Sequence, residues 1–183
     1  MLDVGLRPGR RGGRSLVYNG EIYNFKALAR DLERAGYTFN ARSDTAIIGP
    51  LYDRHGPAAF AMLDGIFAIA LWDADRRELL LARDAMGVKP LYYTRGARGV
   101  AFASELKALL PALDVFDLDE AAIGSYLTRL WSPGERTPFR SVKKLLPGHF
   151  ARIRCDGLRV ERWDHTTQAV RQAGSVQETA DDL

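Results

Sequence analysis

Seven consecutive apolar residues, Ile66-Phe67-Ala68-Ile69-Ala70-Leu71-Trp72, lie between Gly65 and Asp73. The run is too short for most helices and has no polar face, so it predicts a strand covered on both sides. Such a strand needs one packed layer above it and another below. Asp73 to Arg77 reads as a turn, and Glu78 to Ala82 returns as a second buried strand. Upstream, Ser15 to Tyr18 predicts a short strand ending in the turn dipeptide Asn19-Gly20. A helix is expected from Phe25 to Ala35, with Asn24 as N-cap and Gly36 just past its end. A second follows Ser43-Asp44, turning Ile47, Ile48 and Leu51 inward and ending near Gly56, and Pro57 to Leu63 reads as a short third. Downstream, Leu91 to Thr94 and Val100 to Ala103 form a hairpin around Gly96 and Gly99. Ser104 caps a short helix through Leu109 that Pro111 stops, and Asp119 to Leu127 is another amphipathic helix. Phe150 to Arg154 and Leu158 to Trp163 close the series as a hairpin around Asp156-Gly157. One strand, then helices, then antiparallel strands argue an α+β fold with layered packing and not alternating parallel α/β.

Composition narrows the function classes. The 183 residues carry a net charge of +3 spread over both signs, too mild to argue for nucleic-acid or membrane binding. The single cysteine, Cys155, rules out an internal disulfide and fits a reducing compartment. The N-terminal residues show no apolar leader segment and no run reaches membrane-spanning length, so a soluble cytoplasmic protein is expected. His55, His149 and His165 are scattered without metal-ligand spacing, and no metal site is expected. His149 reads as a loop hydrogen-bond partner, and Trp72, Tyr92 and Tyr93 read as core.

The chemistry concentrates in Asn19-Gly20-Glu21-Ile22-Tyr23-Asn24. A side-chain amide followed by a glycine N–H on a turn suits an oxyanion hole, and a neighbouring carboxylate can grip an α-ammonium group. Alone, Asn-Gly is more often a plain hairpin turn before a capped helix. Here it is followed in order by Ser43-Asp44-Thr45, Asp64-Gly65 with the apolar run, Arg83-Asp84, Gly87-Val88-Lys89-Pro90-Leu91-Tyr92-Tyr93, Ser104-Glu105-Leu106-Lys107-Ala108-Leu109-Leu110, and Leu145-Leu146-Pro147-Gly148-His149. Over roughly residues 15 to 164 this series resembles the N-terminal class II glutamine amidotransferase domain of glutamine-hydrolysing asparagine synthetases.

The resemblance implies an N-terminal-nucleophile hydrolase fold, an αββα sandwich of two antiparallel sheets, here lacking its first strands. The domain would span residues 1–164, with 165–183 a linker and the start of an ATP-dependent synthetase domain. It implies that Asn19 and Gly20 form the oxyanion hole and that Asn19, Gly20, Glu21 and Asp44 bind glutamine, Asp44 through the α-ammonium group. Arg83, Asp84, Lys89 and Glu105 match family positions and read as structural or interdomain residues. ATP and magnesium are expected only on the synthetase domain, with that domain or a homologous subunit as partner and a homodimer as a further expectation. Three features depart from the pattern. Leu2 stands where the family has its nucleophilic cysteine, and Met1-Leu2-Asp3 matches the chain just past the family's glutamine-binding arginine. Ala46 and Ala85 replace the usual glutamate and arginine. Cys155 lies far from the turn motif and cannot supply an N-terminal amine, so the chain is expected to be inactive by itself. The alternatives are a non-catalytic glutamine-binding pseudo-amidotransferase and part of a cluster-specific amide synthetase. Loss of the first strands should also expose apolar sheet surface and an open edge.

Overall fold

The apolar run is the middle of the longest-paired strand in a computed structural model that describes residues 2–3, 13–38 and 43–164. The strands are β1 (Leu2–Asp3), β2 (Arg14–Ile22), β3 (Gly65–Asp73), β4 (Glu78–Arg83), β5 (Tyr92–Gly96), β6 (Gly99–Ala103), β7 (Val142–Lys144), β8 (His149–Arg154) and β9 (Gly157–Arg162). The α-helices are α1 (Phe25–Arg34), α2 (Thr45–His55) and α3 (Glu120–Arg129). Six strands form one antiparallel sheet in the order β1-β2-β3-β4-β8-β9, and three form a second in the order β6-β5-β7.

Phe67, Ile69 and Leu71 point from β3 toward α1 and α2, where they meet Leu28, Leu32, Ile47, Leu51 and Phe60. Ala68 and Ala70 point the other way and pack with Leu81, Leu91, Tyr93 and Ile153 between the sheets. Beyond the smaller sheet, Leu109, Leu113 and Val142 form a third cluster with Leu106 and Phe139. The layers therefore run helices, sheet, sheet, and a thin outer layer carried mostly by 3-10 turns. This is the expected α+β sandwich of two antiparallel sheets.

Several elements differ from their sequence reading. The first long strand continues through the Asn19-Gly20 dipeptide to Ile22 instead of turning there, because Val17 to Ile22 pair residue by residue with Ala70 to Gly65. Asn24 occupies the cap position of α1, yet its side chain makes no cap bond. Its amide nitrogen donates to the Met62 carbonyl at 2.9 Å and its oxygen accepts from the Asp64 N–H at 3.1 Å, clamping the turn before β3. Gly56–Met62 is a 3-10 segment, as is Leu106–Ala112. The latter starts after Glu105 with no side-chain cap, and Pro111 lies inside it. β7 was not legible, since Val-Lys-Lys is too short to show alternation.

Trp72 is not a core residue. It is 41 % exposed and Val17 beside it is 51 % exposed, both on the face of the larger sheet that the smaller sheet leaves uncovered. β6 pairs with β5 on one side only among the described residues, and its Val100 and Phe102 are half-buried. Val17 and Trp72 thus leave apolar surface exposed on the larger sheet.

No local pattern foretold the ionic cluster at the far end of the larger sheet. Arg14 donates to Asp53 at 2.7 Å and lies 3.5 Å from Asp73, all three side chains being buried. Glu78, 1 % exposed, accepts from Tyr52 at 2.9 Å and from Arg154 at 2.6 Å. Arg76 donates to the Tyr52 hydroxyl at 2.7 Å. These pairs tie the ends of β2, β3 and β4 to α2 and β8.

Candidate active-site corner

Asn19, Gly20, Glu21 and Asp44 meet at one corner of the larger sheet. Strand alternation puts the Asn19 and Glu21 side chains on the face turned toward the smaller sheet, and both are exposed. The Asn19 amide nitrogen donates to the Ser104 hydroxyl at 3.3 Å, which links β2 to the segment after β6. One amide hydrogen of Asn19 remains available.

Gly20 is fixed by close approach. A Cβ there would lie 2.1 Å from the Ile66 carbonyl oxygen and 2.6 Å from the Phe67 Cα. Across the ladder, a Cβ at Gly65 would lie 2.2 Å from the Glu21 carbonyl oxygen. The two glycines let β2 and β3 pinch together at this end. The Ile22 N–H donates to Asp44 at 3.1 Å and so points away from β3. Backbone amides alternate along a strand, so the Gly20 N–H faces the same outer side. β1 pairs only with Ser15 and Leu16 and stops short of it.

Asp44 precedes α2 and is drawn to that edge. One carboxylate oxygen accepts from the Tyr18 hydroxyl at 2.6 Å and from Ile22 N–H, and the other accepts from Thr45 N–H at 2.9 Å. Burial, then the hydrogen bond to Asp44, pushes the Tyr18 phenol well above its ordinary range, so Tyr18 stays a donor. A carboxylate offers about four acceptor positions, and the fourth contact on Asp44, from the Thr45 hydroxyl at 3.5 Å, is the longest and the one a stronger donor would displace.

The remaining sequence-selected residues play supporting parts. Arg83 donates to three carbonyls, those of Lys89, Leu145 and Gly87, at 2.7, 2.7 and 2.6 Å. Asp84, fully buried, accepts from the N–H groups of Phe67, Val88 and Lys89. This knot fixes the loop from Arg83 to Lys89, as the structural reading expected. Glu105 pairs with Lys107 at 2.8 Å on the surface. His149 bonds the Pro147 carbonyl at 2.7 Å. Cys155 is exposed in the β8–β9 turn, three strands from β2 and beyond the far end of β8. Ser104 is the contact that the sequence reading missed at the corner itself, having been assigned as a helix cap. No group of three His, Cys, Asp or Glu residues clusters to hold a metal ion, and no helix is long and apolar enough to cross a membrane, among the described residues.

Comparison with known proteins identifies the family and the fold. The chain is 40 % identical over 142 residues to "Asparagine synthetase [glutamine-hydrolyzing] 1" of Bacillus subtilis, covering 78 % of this chain and 22 % of that protein. It is 35 % identical over 141 residues to "Amidase chry2" of Gibberella zeae, covering 76 % of this chain and 20 % of that protein. The chain thus spans about a fifth of the length of these relatives. Among solved structures, the glutamine phosphoribosylpyrophosphate amidotransferase of B. subtilis superposes with a TM-score of 0.62 at 22 % identity, over 88 % of this chain and 31 % of that one. That likeness shows a shared fold, the N-terminal-nucleophile sandwich. Residues 4–164 match the family described as the glutamine amidotransferase domain, and the chain belongs to that family.

Proposed function

We propose that the corner formed by Asn19, Gly20, Glu21 and Asp44 grips glutamine in a domain that, when complete, releases ammonia from the side-chain amide. The observation that carries this is the joint placement, at one end of β2, of an exposed Asn19 amide, an outward Gly20 N–H and the Asp44 carboxylate bonded to the Ile22 N–H. Asn19 and Gly20 would donate to the oxygen of the attacked carboxamide as it gains charge. Asp44 would accept from the α-ammonium group, held in place by Tyr18 and Ile22, with Glu21 as a second carboxylate beside it.

The nucleophile is the missing part. A thiol must reach the carboxamide carbon within hydrogen-bond range of Asn19, and Cys155 is three strands away. β1 runs antiparallel to β2, so chain preceding Leu2 in a longer relative would run beside Val17 toward Gly20. That direction supports a carboxylate-binding residue and nucleophile supplied from upstream. In this reading the ammonia passes to a synthetase domain that holds ATP and magnesium and activates aspartate, in a soluble, cytoplasmic, dimeric enzyme. The acceptor stays open, since the relatives include proteins named as asparagine synthetases and as an amidase.

A glutaminase assay on this chain is expected to show no turnover above background, and measurable hydrolysis would sink the proposal for the missing nucleophile. Calorimetric titration with glutamine tests the grip separately. Weak binding that Asp44→Asn reduces further, by about tenfold, supports it, whereas binding indifferent to Asp44 and Asn19 removes it. Ala46 and Ala85, in place of the usual glutamate and arginine, favour a second reading, a non-catalytic glutamine-binding module. A version of the chain extended upstream with a relative's cysteine-bearing strand separates the two, because only the enzymatic reading expects turnover to appear.

A further inference from the structure

A cavity of about 630 Å³ opens between the Arg83–Pro147 knot and the loop from Trp131 to Pro138. Its size falls in the range of small-molecule sites. Its lining includes Arg83, Arg136 and Lys144 and no carboxylate among the described residues. Arg136 is engaged by Asp119 at 3.3 Å. Lys144 gives one hydrogen bond, to the Ser132 carbonyl at 2.6 Å, and its ammonium lies 5.2 Å from the centre of the Trp131 ring. Three of the five Arg83 donors reach carbonyls and two remain.

Arg83 and Lys144 thus share a partly dry wall with no carboxylate in its lining, the acidic group that acts on Arg83 being the buried Asp84 behind it. Burial first, and then the Arg83 charge, push the Lys144 ammonium below its ordinary value. A bound anion relieves both costs at once. Tyr126 and Trp131, 53 % and 58 % exposed, line the same cavity, Trp131 with one ring face against the Lys144 ammonium. The wall is preformed, since Ser132 Oγ donates to the Arg136 carbonyl and the single Thr137 hydroxyl hydrogen is shared between the carbonyls of Phe139 and Val142, each 2.9 Å from Oγ1.

We propose that this cavity binds an anion attached to a planar ring, with the chemistry of a nucleoside monophosphate. The anion would lie between Arg83 and Lys144, and the ring against Tyr126 and Trp131. The proposal does not rest on the glutamine reading. The probes are AMP, adenosine and inorganic phosphate, titrated into this chain by calorimetry and by tryptophan fluorescence. Saturable AMP binding that perturbs Trp131 emission is expected, with adenosine and phosphate each roughly tenfold weaker. Trp131→Phe should abolish the fluorescence change while calorimetry still detects ligand. Lys144→Gln should weaken AMP roughly tenfold and Lys144→Arg should largely restore it. Arg159→Gln, which removes the same charge from an exposed position on β9, should leave affinity unchanged. Circular dichroism confirms that each variant is folded. No saturable AMP binding, AMP no tighter than phosphate, or equal losses in Lys144→Gln and Arg159→Gln would each overturn the proposal.

Discussion

At the scale of single residues, Gly20 and Tyr52 show how position sets chemistry. Any side chain at Gly20 meets the β3 backbone, at 2.1 Å for a Cβ against Ile66. Gly20→Ala is therefore expected to cost about 1–3 kcal/mol from strain alone, read as a lower denaturant midpoint, and to loosen the corner even though no polar group is lost. Tyr52 gives a pH dependence. Burial, opposed by the Arg76 hydrogen bond and reinforced by Glu78, pushes its phenol from 10.0 up to about 12. The folded state then keeps a proton that the unfolded chain releases. Its contribution is fully present below pH 10.0 and is lost as pH rises toward about 12. Tyr52→Phe should flatten this part of the alkaline stability curve, and an unchanged curve would show that other groups control it. The oxyanion candidates were legible because Asn-Gly sits in an ordered series of motifs. The Asn19–Ser104 contact was not, because it joins residues 85 positions apart and no local pattern encodes it.

Among the elements, the buried strands were the most legible, since a continuous apolar run admits few other readings. The ends were less so. β2 runs on through Asn19-Gly20 because pairing with β3 overrides the turn preference of that dipeptide. Pro111 was expected to stop a helix but fits inside a 3-10 segment, whose bonding differs from that of an α-helix. Asp119 was placed at the start of α3 and does cap it, accepting from the Ala122 N–H at 3.1 Å. That bond first, and Arg136 nearby, hold its carboxyl below the usual carboxylate value of 3.8. The stabilisation is present above that value and is lost as pH falls through the lower folded one. Asp119→Ala should therefore destabilise α3 near neutral pH and lose its effect in strong acid, as followed by thermal melts across pH. The ionic cluster around Glu78 makes a sharper case. Glu78→Gln leaves the partly exposed Arg154 and Arg152 beside a neutral group and weakens the bonds to a buried acceptor, and a loss of about 1–3 kcal/mol is expected. A loss below about 1 kcal/mol would place this pair among solvent-screened surface contacts.

For the whole molecule, the uneven sandwich decides behaviour in solution. A six-stranded sheet faces a three-stranded one, and Val17 and Trp72 lie where the cover ends. With β6 also open on one side, the chain should self-associate as concentration rises, and sedimentation should show this. Val17→Lys with Trp72→Lys should suppress it, whereas a concentration-independent monomer in the unaltered chain would mean that the open face is harmless. The layered architecture could be read from the order of elements, but the extent of uncovered surface needed the sheet topology. The pinch between β2 and β3 has one more consequence, for how the chain finds its pairing. Gly20 and Gly65 are the two places where the strands come too close for any side chain, and they sit opposite Phe67 and Ile22. If β2 slips by one residue, Asn19 or Glu21 is driven into a gap that only hydrogen fits, while Leu16 and Ile22 turn out of the core. The glycine pair works as a lock with one key position: a misthreaded hairpin cannot close at the end where the site is built, so the domain forms either with its corner intact or not at all.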